Sequence, residues 1–328
     1  MRPFEYASPL NREDAVALLA ESGPNATVLA GGTDLLSLMK DDVVRPTRVV
    51  SLKSVEGLAG ISRQSDGALR IGALTTLDAL AADASIRADL PALTQAVDGV
   101  RSMQIRSLGT VGGDLCQRPR CWYFRAGFGL LARNGSEPLV PGGDNRYHAI
   151  FGDGPAHFVS PSSLAPALVA LGAELELLGP NGSRRLAVAD FFRSPRTPEE
   201  KEHDLAADEI VTEVRIPNAR GRRNAVYEVR QKQALDWPLA AAAVSFELDG
   251  GRLRSPRVVL GHVAPTPWPA PGAEDALEGG TPGAELAERA GQAAVAGAKP
   301  LSMNAYKVRL AQVAVKRAIL RAAGEEVA

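Results

Sequence analysis

The chain has 328 residues, which corresponds to two or three domains at roughly 100–200 residues per domain. Its 37 basic and 38 acidic residues give a formal net charge of −1, and this balance argues against a general binder of nucleic acid or anionic membranes. No apolar run approaches the ~18 residues of a membrane span, and residues 1–6 lack the apolar core of a secretory signal. We therefore expect no membrane span and no export signal on this chain.

The first two thirds of the sequence mix short helices with β-prone segments. Apolar periodicity predicts a helix over residues 11–21, with Asn11 as its cap, then a strand at 27–30 and a helix over 34–40. Further strands are predicted at 48–52, 69–73, 173–177 and 210–217, and a helix at 77–84. The polar, basic segment 218–223 indicates a domain boundary.

Beyond that boundary, strands are predicted at 225–230, 241–248 and 256–263, and helices at 284–297 and 304–323. Strands followed by helices in one segment are typical of an α+β domain, here with a three-stranded antiparallel sheet. Residues 116–156 are rich in Gly and Pro and hold few periodic segments, so we interpret them as an insertion.

Two double-glycine loops are the strongest local signals. In the first, Gly31 and Gly32 separate a predicted strand from a helix, and Thr33 follows with a hydroxyl group. Glycines there allow close backbone approach, and the helix start attracts an anion such as a phosphate. One such loop is equally consistent with an empty turn. The second pair, Gly112 and Gly113, lies in the same predicted domain, and two loops together favour the phosphates of a dinucleotide.

Other motifs are weaker. The sequence contains no Walker A loop, and the G-x-G-x-x-A match at 127–132 lacks a βαβ frame. Cys116 and Cys121 are the only cysteines, too few for a four-cysteine site on this chain. Arg230, Lys232 and Trp237 surround a predicted turn, where a cation could stabilise an anionic ring such as a reduced flavin. A solvated strand end is the alternative.

Six segments spread over the chain together resemble one known family. They are Ala30–Leu35, Ile71–Thr76, Gln104–Gly113, Glu209–Glu213, Val263–Trp268 and Asn304–Val308. In this order they resemble the FAD-binding medium subunit of the molybdenum hydroxylases, the family of xanthine dehydrogenase, carbon monoxide dehydrogenase and bacterial aldehyde oxidoreductases. The resemblance covers nearly the whole sequence.

The resemblance implies an α+β fold with a two-part PCMH-type FAD-binding domain at about residues 1–220. Its subdomains would span about 1–55 and 56–220, and a smaller C-terminal domain of carbon monoxide dehydrogenase flavoprotein type would span 221–328. FAD would be bound non-covalently, with the chemistry at the flavin and neither a catalytic side chain nor a metal ligand on this chain. The implied cofactor-binding residues are Leu29, Ala30, Gly31, Gly32, Thr33, Asp34, Leu35, Thr110, Gly112, Gly113, Asp114, Ser163 and Lys232.

The resemblance also implies partners. A large subunit would carry the molybdenum cofactor and a small subunit two [2Fe–2S] clusters, and the flavin would pass electrons to NAD, oxygen, a quinone or a carrier protein. Two alternatives stay open: a structural subunit that has lost FAD, and a stand-alone flavoprotein reductase. The expected location is cytoplasmic, or periplasmic if a partner's signal exports the complex.

The insertion departs from the family pattern. It is similar to that of periplasmic aldehyde oxidoreductase and 4-hydroxybenzoyl-CoA reductase, whose flavin subunits carry an extra [4Fe–4S] cluster. That cluster needs four ligands, but only Cys121 matches one, and Ala156 stands where the pattern has Cys. We therefore predict no cluster here and an insertion held by packing of its aromatic residues, Trp122, Tyr123, Phe124 and Tyr147. Asp114 and Ser163 also depart from the pattern, which usually has Asn and Asp at these positions.

Overall fold

The computed structural model describes residues 1–232 and 235–327 of the chain. The first 55 residues form a parallel three-stranded sheet of order β1-β3-β2 with two helices. Its elements are β1 (Glu5–Ala7), α1 (Arg12–Ser22), β2 (Ala26–Leu29), α2 (Leu35–Lys40) and β3 (Arg48–Ser51). The predicted cap is present, because the Asn11 side chain accepts a hydrogen bond from the Asp14 N–H at 2.8 Å. Helix α1 buries Ala15 and Leu19 completely.

The second part runs from residue 56 to the domain boundary and encloses the insertion. Before the insertion come β4 (Ile61–Arg63), β5 (Leu69–Gly72), α3 (Leu77–Ala82), α4 (Ala84–Asp89), α5 (Pro91–Gly99), α6 (Met103–Leu108) and α7 (Val111–Leu115). The insertion holds α8 (Trp122–Arg125), β6 (Arg133–Asn134), β7 (Glu137–Pro138) and α9 (Leu139–Gly142). After it come α10 (Ala165–Ala170), β8 (Glu174–Gly179), β9 (Gly182–Ala187), α11 (Val188–Phe191) and β10 (Ile210–Ile216).

Five of these strands form an antiparallel sheet of order β4-β5-β10-β8-β9. A core of fully buried side chains, including Ile71, Leu93, Leu175 and Phe191, joins this sheet to the helices. The helix predicted over 77–84 is α3, which ends at Ala82. The Asp83 side chain accepts hydrogen bonds from two N–H groups and starts α4 there.

The C-terminal domain is an antiparallel sheet covered by three helices. Its elements are β11 (Arg223–Val229), β12 (Ala240–Asp249), β13 (Arg252–Gly261), β14 (Trp268–Pro269), α12 (Pro271–Leu277), α13 (Ala284–Ala294) and α14 (Tyr306–Ala323). The α+β prediction is confirmed, but the prediction of three strands is wrong, since the sheet has the order β11-β12-β13-β14. Strand β14 pairs with Val259 and Leu260 of β13. With only two residues, this strand is too short to show the alternating pattern by which strands are predicted.

The two domains are joined by side-chain hydrogen bonds from α5 to β11. Asn224 Oδ1 accepts from the Ala92 N–H at 2.9 Å, and Gln95 Oε1 accepts from the Val226 N–H at 2.8 Å. These bonds fix the C-terminal sheet against helix α5 of the N-terminal domain. Within the part of the chain that the structure describes, no helix is long and apolar enough to cross a membrane.

Candidate functional site

The first glycine loop leads from β2 into α2 and presents unpaired backbone donors. Gly32 adopts a positive φ of 77°, a conformation that side chains other than glycine rarely tolerate. The N–H groups of residues 31–34 donate to no other atom among the described residues. A short row of free donors at a helix start is suited to a phosphate group, because both the N–H groups and the helix dipole favour negative charge.

The second glycine loop is built differently, with its N–H groups already used. Thr110 Oγ1 accepts from the Gly113 N–H at 3.0 Å and caps α7. The Val111 and Gly112 N–H groups donate to Thr75 O and Ala73 O at 2.9 and 2.8 Å. This loop is therefore anchored on the residues that follow β5. It forms part of the cavity wall but offers no free N–H group at residues 111–113 to a ligand.

Two cavities meet at these loops. The smaller has a volume of about 220 Å³ and the larger about 530 Å³. Five residues line both cavities: Thr33, Asp34, Thr110, Gly113 and Gln117. The two cavities thus form one elongated site whose middle lies at the glycine loops. Such a site fits a long ligand with phosphates at its centre.

The two ends of the site differ in their linings. The smaller cavity lies towards the C-terminal domain. Its apolar lining includes Leu77, Ile105 and Trp237, and its cations are Arg101, Arg120 and Arg230. The larger cavity lies between the two parts of the N-terminal domain. Its wall includes the segment 24–28, the loop 30–35 and the segment 201–211.

Asp34 of the first loop is committed to protein contacts. Its carboxylate accepts from the Arg118 N–H at 2.7 Å and from Arg125 Nη2 at 2.8 Å, and it pairs with Arg120. Burial would raise the pKa of Asp34, but these three partners outweigh it and hold the pKa below its usual value. Asp34 is therefore an anion that fastens the insertion to the first glycine loop.

Asp114 of the second loop is fully inside the protein and ties α7 to the start of α10. It accepts from Gln117 Nε2 at 2.9 Å, from Ser162 Oγ at 2.5 Å and from the Leu164 N–H at 3.0 Å. Burial raises its pKa, although these hydrogen bonds act in the opposite direction. Ser163, next to this contact, lines the smaller cavity. The Asp114 carboxyl group is thus used in hydrogen bonds within the protein.

Eleven of the thirteen residues predicted for cofactor binding line one or both cavities. They are Ala30, Gly31, Gly32, Thr33, Asp34, Leu35, Thr110, Gly112, Gly113, Asp114 and Ser163. Leu29 lies in β2 and Lys232 is exposed, and neither is among the lining residues in the described part of the chain. Arg230, two positions before Lys232, is the cation of that segment that lines the smaller cavity.

Sequence reasoning missed several residues of the site. Gln117 and Arg120 line it from the insertion, and Glu202 and His203 line it from a segment about 90 residues after the second glycine loop. No local motif marks any of them. Glu202 is buried and pairs with Arg118, and this pairing only becomes visible once the chain is folded.

The insertion has a small apolar core of its own. Leu131, Ala156 and Phe158 are buried together, with Cys121 packed against them. Cys121 Sγ lies 3.2 Å from His148 Nε2, and burial raises the pKa of this thiol. Over residues 1–232 and 235–327, no group of three or more His, Cys, Asp or Glu side chains could hold a metal ion. The residues present therefore do not fit a [4Fe–4S] cluster.

Comparisons with known proteins place nearly the whole chain in one family. The family model described as FAD binding domain in molybdopterin dehydrogenase matches residues 2–219, and the one described as CO dehydrogenase flavoprotein C-terminal domain matches residues 225–322. The aldehyde oxidoreductase FAD-binding subunit PaoB of Escherichia coli K12 is 32% identical, with 95% of this chain and 96% of that protein covered. The carbon monoxide dehydrogenase medium chain of Hydrogenophaga pseudoflava is 29% identical, with 96% of each covered.

Solved structures show the same likeness. A chain of carbon monoxide dehydrogenase from Hydrogenophaga pseudoflava superposes with a TM-score of 0.76 at 28% identity, covering 98% of both chains. A chain of quinoline 2-oxidoreductase from Pseudomonas putida 86 superposes with a TM-score of 0.77 at 25% identity, also covering 98% of both. The chain belongs to the family of FAD-binding medium subunits of molybdenum hydroxylases, and it is an oxidoreductase subunit with FAD as its cofactor.

Proposed function

We propose that this chain is the electron-transferring flavin subunit of a molybdenum-containing hydroxylase complex. Electrons would arrive from [2Fe–2S] clusters of a small partner subunit, fed by the molybdenum cofactor of a large one, and leave to an external acceptor. The observation that supports the proposal most strongly is the elongated site, in which two cavities join at the two glycine loops. This site lies in a chain that is similar over nearly its full length to a subunit of such an enzyme. FAD, when bound, supplies reversible two-electron chemistry.

We place the phosphates of FAD at the junction of the cavities. The unpaired N–H groups of residues 31–34 would bind them, and Gly113, which lines both cavities, leaves open the space that a side chain would fill. Thr110 keeps this wall in place by capping α7. The larger cavity would then hold the adenosine end.

The smaller cavity is the better site for the flavin ring. Leu77, Ile105 and Trp237 offer apolar surface that excludes water from a flat aromatic group, and Arg120 and Arg230 add positive charge. A cation near the ring stabilises negative charge that builds up on reduction. The role predicted for Lys232 would accordingly fall to these two arginines.

The experiment that tests the proposal is co-purification. We expect the tagged chain, expressed with the subunits encoded beside it, to bring down one FAD per chain together with molybdenum and the iron of two [2Fe–2S] clusters. A complex with metals but no flavin would instead indicate a structural subunit. A yellow protein that binds neither partner would indicate a stand-alone reductase.

A matched pair of variants makes the same experiment sharper. Gly113→Val fills the junction of the cavities, whereas Gly283→Val adds a side chain where no atom lies within 4 Å. We expect the first variant to assemble with metals and without FAD, and the second to assemble with both. Equal flavin content in the two complexes would contradict the placement of FAD at the glycine loops.

A further inference from the structure

Arg120 of the insertion connects three separate parts of the chain at the smaller cavity. Its guanidinium pairs with Asp34 of the first glycine loop, and its Nη2 donates to Gln117 Oε1 at 2.8 Å. On another side, its Cζ lies 4.7 Å from the centre of the Trp237 ring in the C-terminal domain. A side chain held on three sides has few rotamers left, so the position of its charge is well defined.

Part of the Arg120 side chain stays open to the smaller cavity. The side chain keeps 27% of its surface exposed, and Arg120 is among the residues that line this cavity. Its Nε atom is buried and has no acceptor among the described residues, so this donor lies out of a ligand's reach. A ligand in the cavity would therefore meet the exposed part of the side chain and its positive charge.

The charge around Arg120 is only partly cancelled. Asp34 contributes one negative charge, and Arg120 and Arg125 both pair with it, so these three side chains carry a net charge of +1. Two other cations line the cavity: Arg230 is paired with the buried Glu228 at 2.5 Å, and Arg101 is exposed. Arg120 is therefore the cation of this cavity that is held in a fixed position without a full counter-charge.

We propose that Arg120 binds the FAD in the smaller cavity and stabilises its reduced form, and that Asp34 is the positioning residue that holds the Arg120 guanidinium there. This inference rests on the proposed placement of FAD. Reduction by two electrons with uptake of one proton adds one negative charge to the flavin, and a fixed cation beside it favours that state. The insertion, which lacks the ligands for a cluster, would then still set the redox properties of the cofactor.

The test is the midpoint potential of the bound flavin in purified protein, titrated with reference dyes. Arg120→Gln removes the charge and keeps a donor for Asp34. We expect it to bind reduced FAD about tenfold less favourably relative to oxidised FAD, which lowers the potential of a two-electron couple by about 30 mV. Arg120→Lys keeps the charge and should stay close to the wild-type value.

Arg146→Gln is the matched control. Arg146 belongs to the same insertion and pairs with Asp144 at 2.9 Å, but it is not among the residues that line either cavity. We expect it to leave the potential unchanged. Equal potentials for Arg120→Gln and Arg146→Gln, with FAD bound to both, would overturn this inference alone, as would a shift in Arg120→Lys as large as that in Arg120→Gln. A wild-type protein without FAD would overturn the proposed function together with it.

Discussion

Gly31 lies directly against the backbone carbonyl of Leu108. A Cβ atom built on Gly31 would stand 1.8 Å from Leu108 O, far inside van der Waals contact. Leu108 ends α6, and the second glycine loop follows it immediately. The two loops are therefore in backbone contact, and it is this contact that requires glycine at position 31.

The contact between Gly31 and the Leu108 carbonyl leaves no room for a side chain at position 31. Gly31→Ala should push the two loops apart, because a backbone carbonyl cannot rotate away as a flexible side chain can. We expect a loss of unfolding free energy of about 1–3 kcal/mol and weaker FAD binding. Thermal unfolding of the flavin-free protein measures the first effect and flavin fluorescence the second. An unchanged melting temperature would contradict the close approach.

Gly32 and Gly113 should act on the ligand more than on stability. Gly32→Val places a branched residue at φ 77°, and Gly113→Val brings a Cβ to 3.0 Å from Thr110 Oγ1, at the wall shared by both cavities. We expect both variants to lose at least tenfold in FAD affinity, measured by titrating flavin-free protein. Stoichiometric FAD in both variants would mean that the loops do not hold the cofactor.

His262 should make the protein sensitive to acid. Burial, with help from Lys307 and Arg230, lowers the pKa of His262 from its usual value near 6.5 to about 3. Between these two pH values the unfolded chain binds a proton that the folded chain does not, so stability falls as the pH drops from 6.5 towards 3. The loss is on the order of 4 kcal/mol.

The variant for this test is His262→Asn, since His262 has a φ of 60° and asparagine tolerates that conformation. We expect chemical unfolding at several pH values to show a flatter acid limb for the variant than for the wild type. Parallel curves would show that His262 does not titrate with folding.

The insertion should contain no iron. Leu131, Ala156 and Phe158 form an apolar core beside Cys121, in the place where a cluster would need thiolates. Edge-on contacts of Trp122 with Tyr147 and His148, with ring centres 5.7 and 5.5 Å apart, hold the adjoining segments. We expect the subunit, separated from its partners, to lack iron by metal analysis and to give no cluster signal in electron paramagnetic resonance. A stoichiometric four-iron signal would disprove this.

The sequence was most informative where the structure is local. The Asn11 cap and the turn at Gly32, with its positive φ, depend on neighbouring residues, so pattern and spacing were enough to predict them. Strand β14 escaped prediction because two residues carry no periodicity, and Arg120 escaped because its partners Asp34 and Trp237 lie 86 and 117 positions away along the chain. Contacts of that kind follow from tertiary packing, which no local pattern contains.

Lys232 shows the same limit within a single turn. The sequence places Arg230 and Lys232 equally near the predicted turn, and alternation along an extended chain allows either to face a ligand. In the folded chain the Arg230 side chain is 9% exposed beside Glu228, while Lys232 is exposed. Only packing against a neighbouring carboxylate distinguishes them.

The flavin content of the purified subunit after acid precipitation tests the proposed FAD site most directly. The joined cavities and the free N–H groups of residues 31–34 predict one FAD per chain. Because we propose non-covalent binding, the acid should release this FAD intact into the supernatant. Chromatography of the supernatant identifies the flavin. A colourless subunit, FMN in place of FAD, or flavin that stays with the precipitated protein would contradict the account.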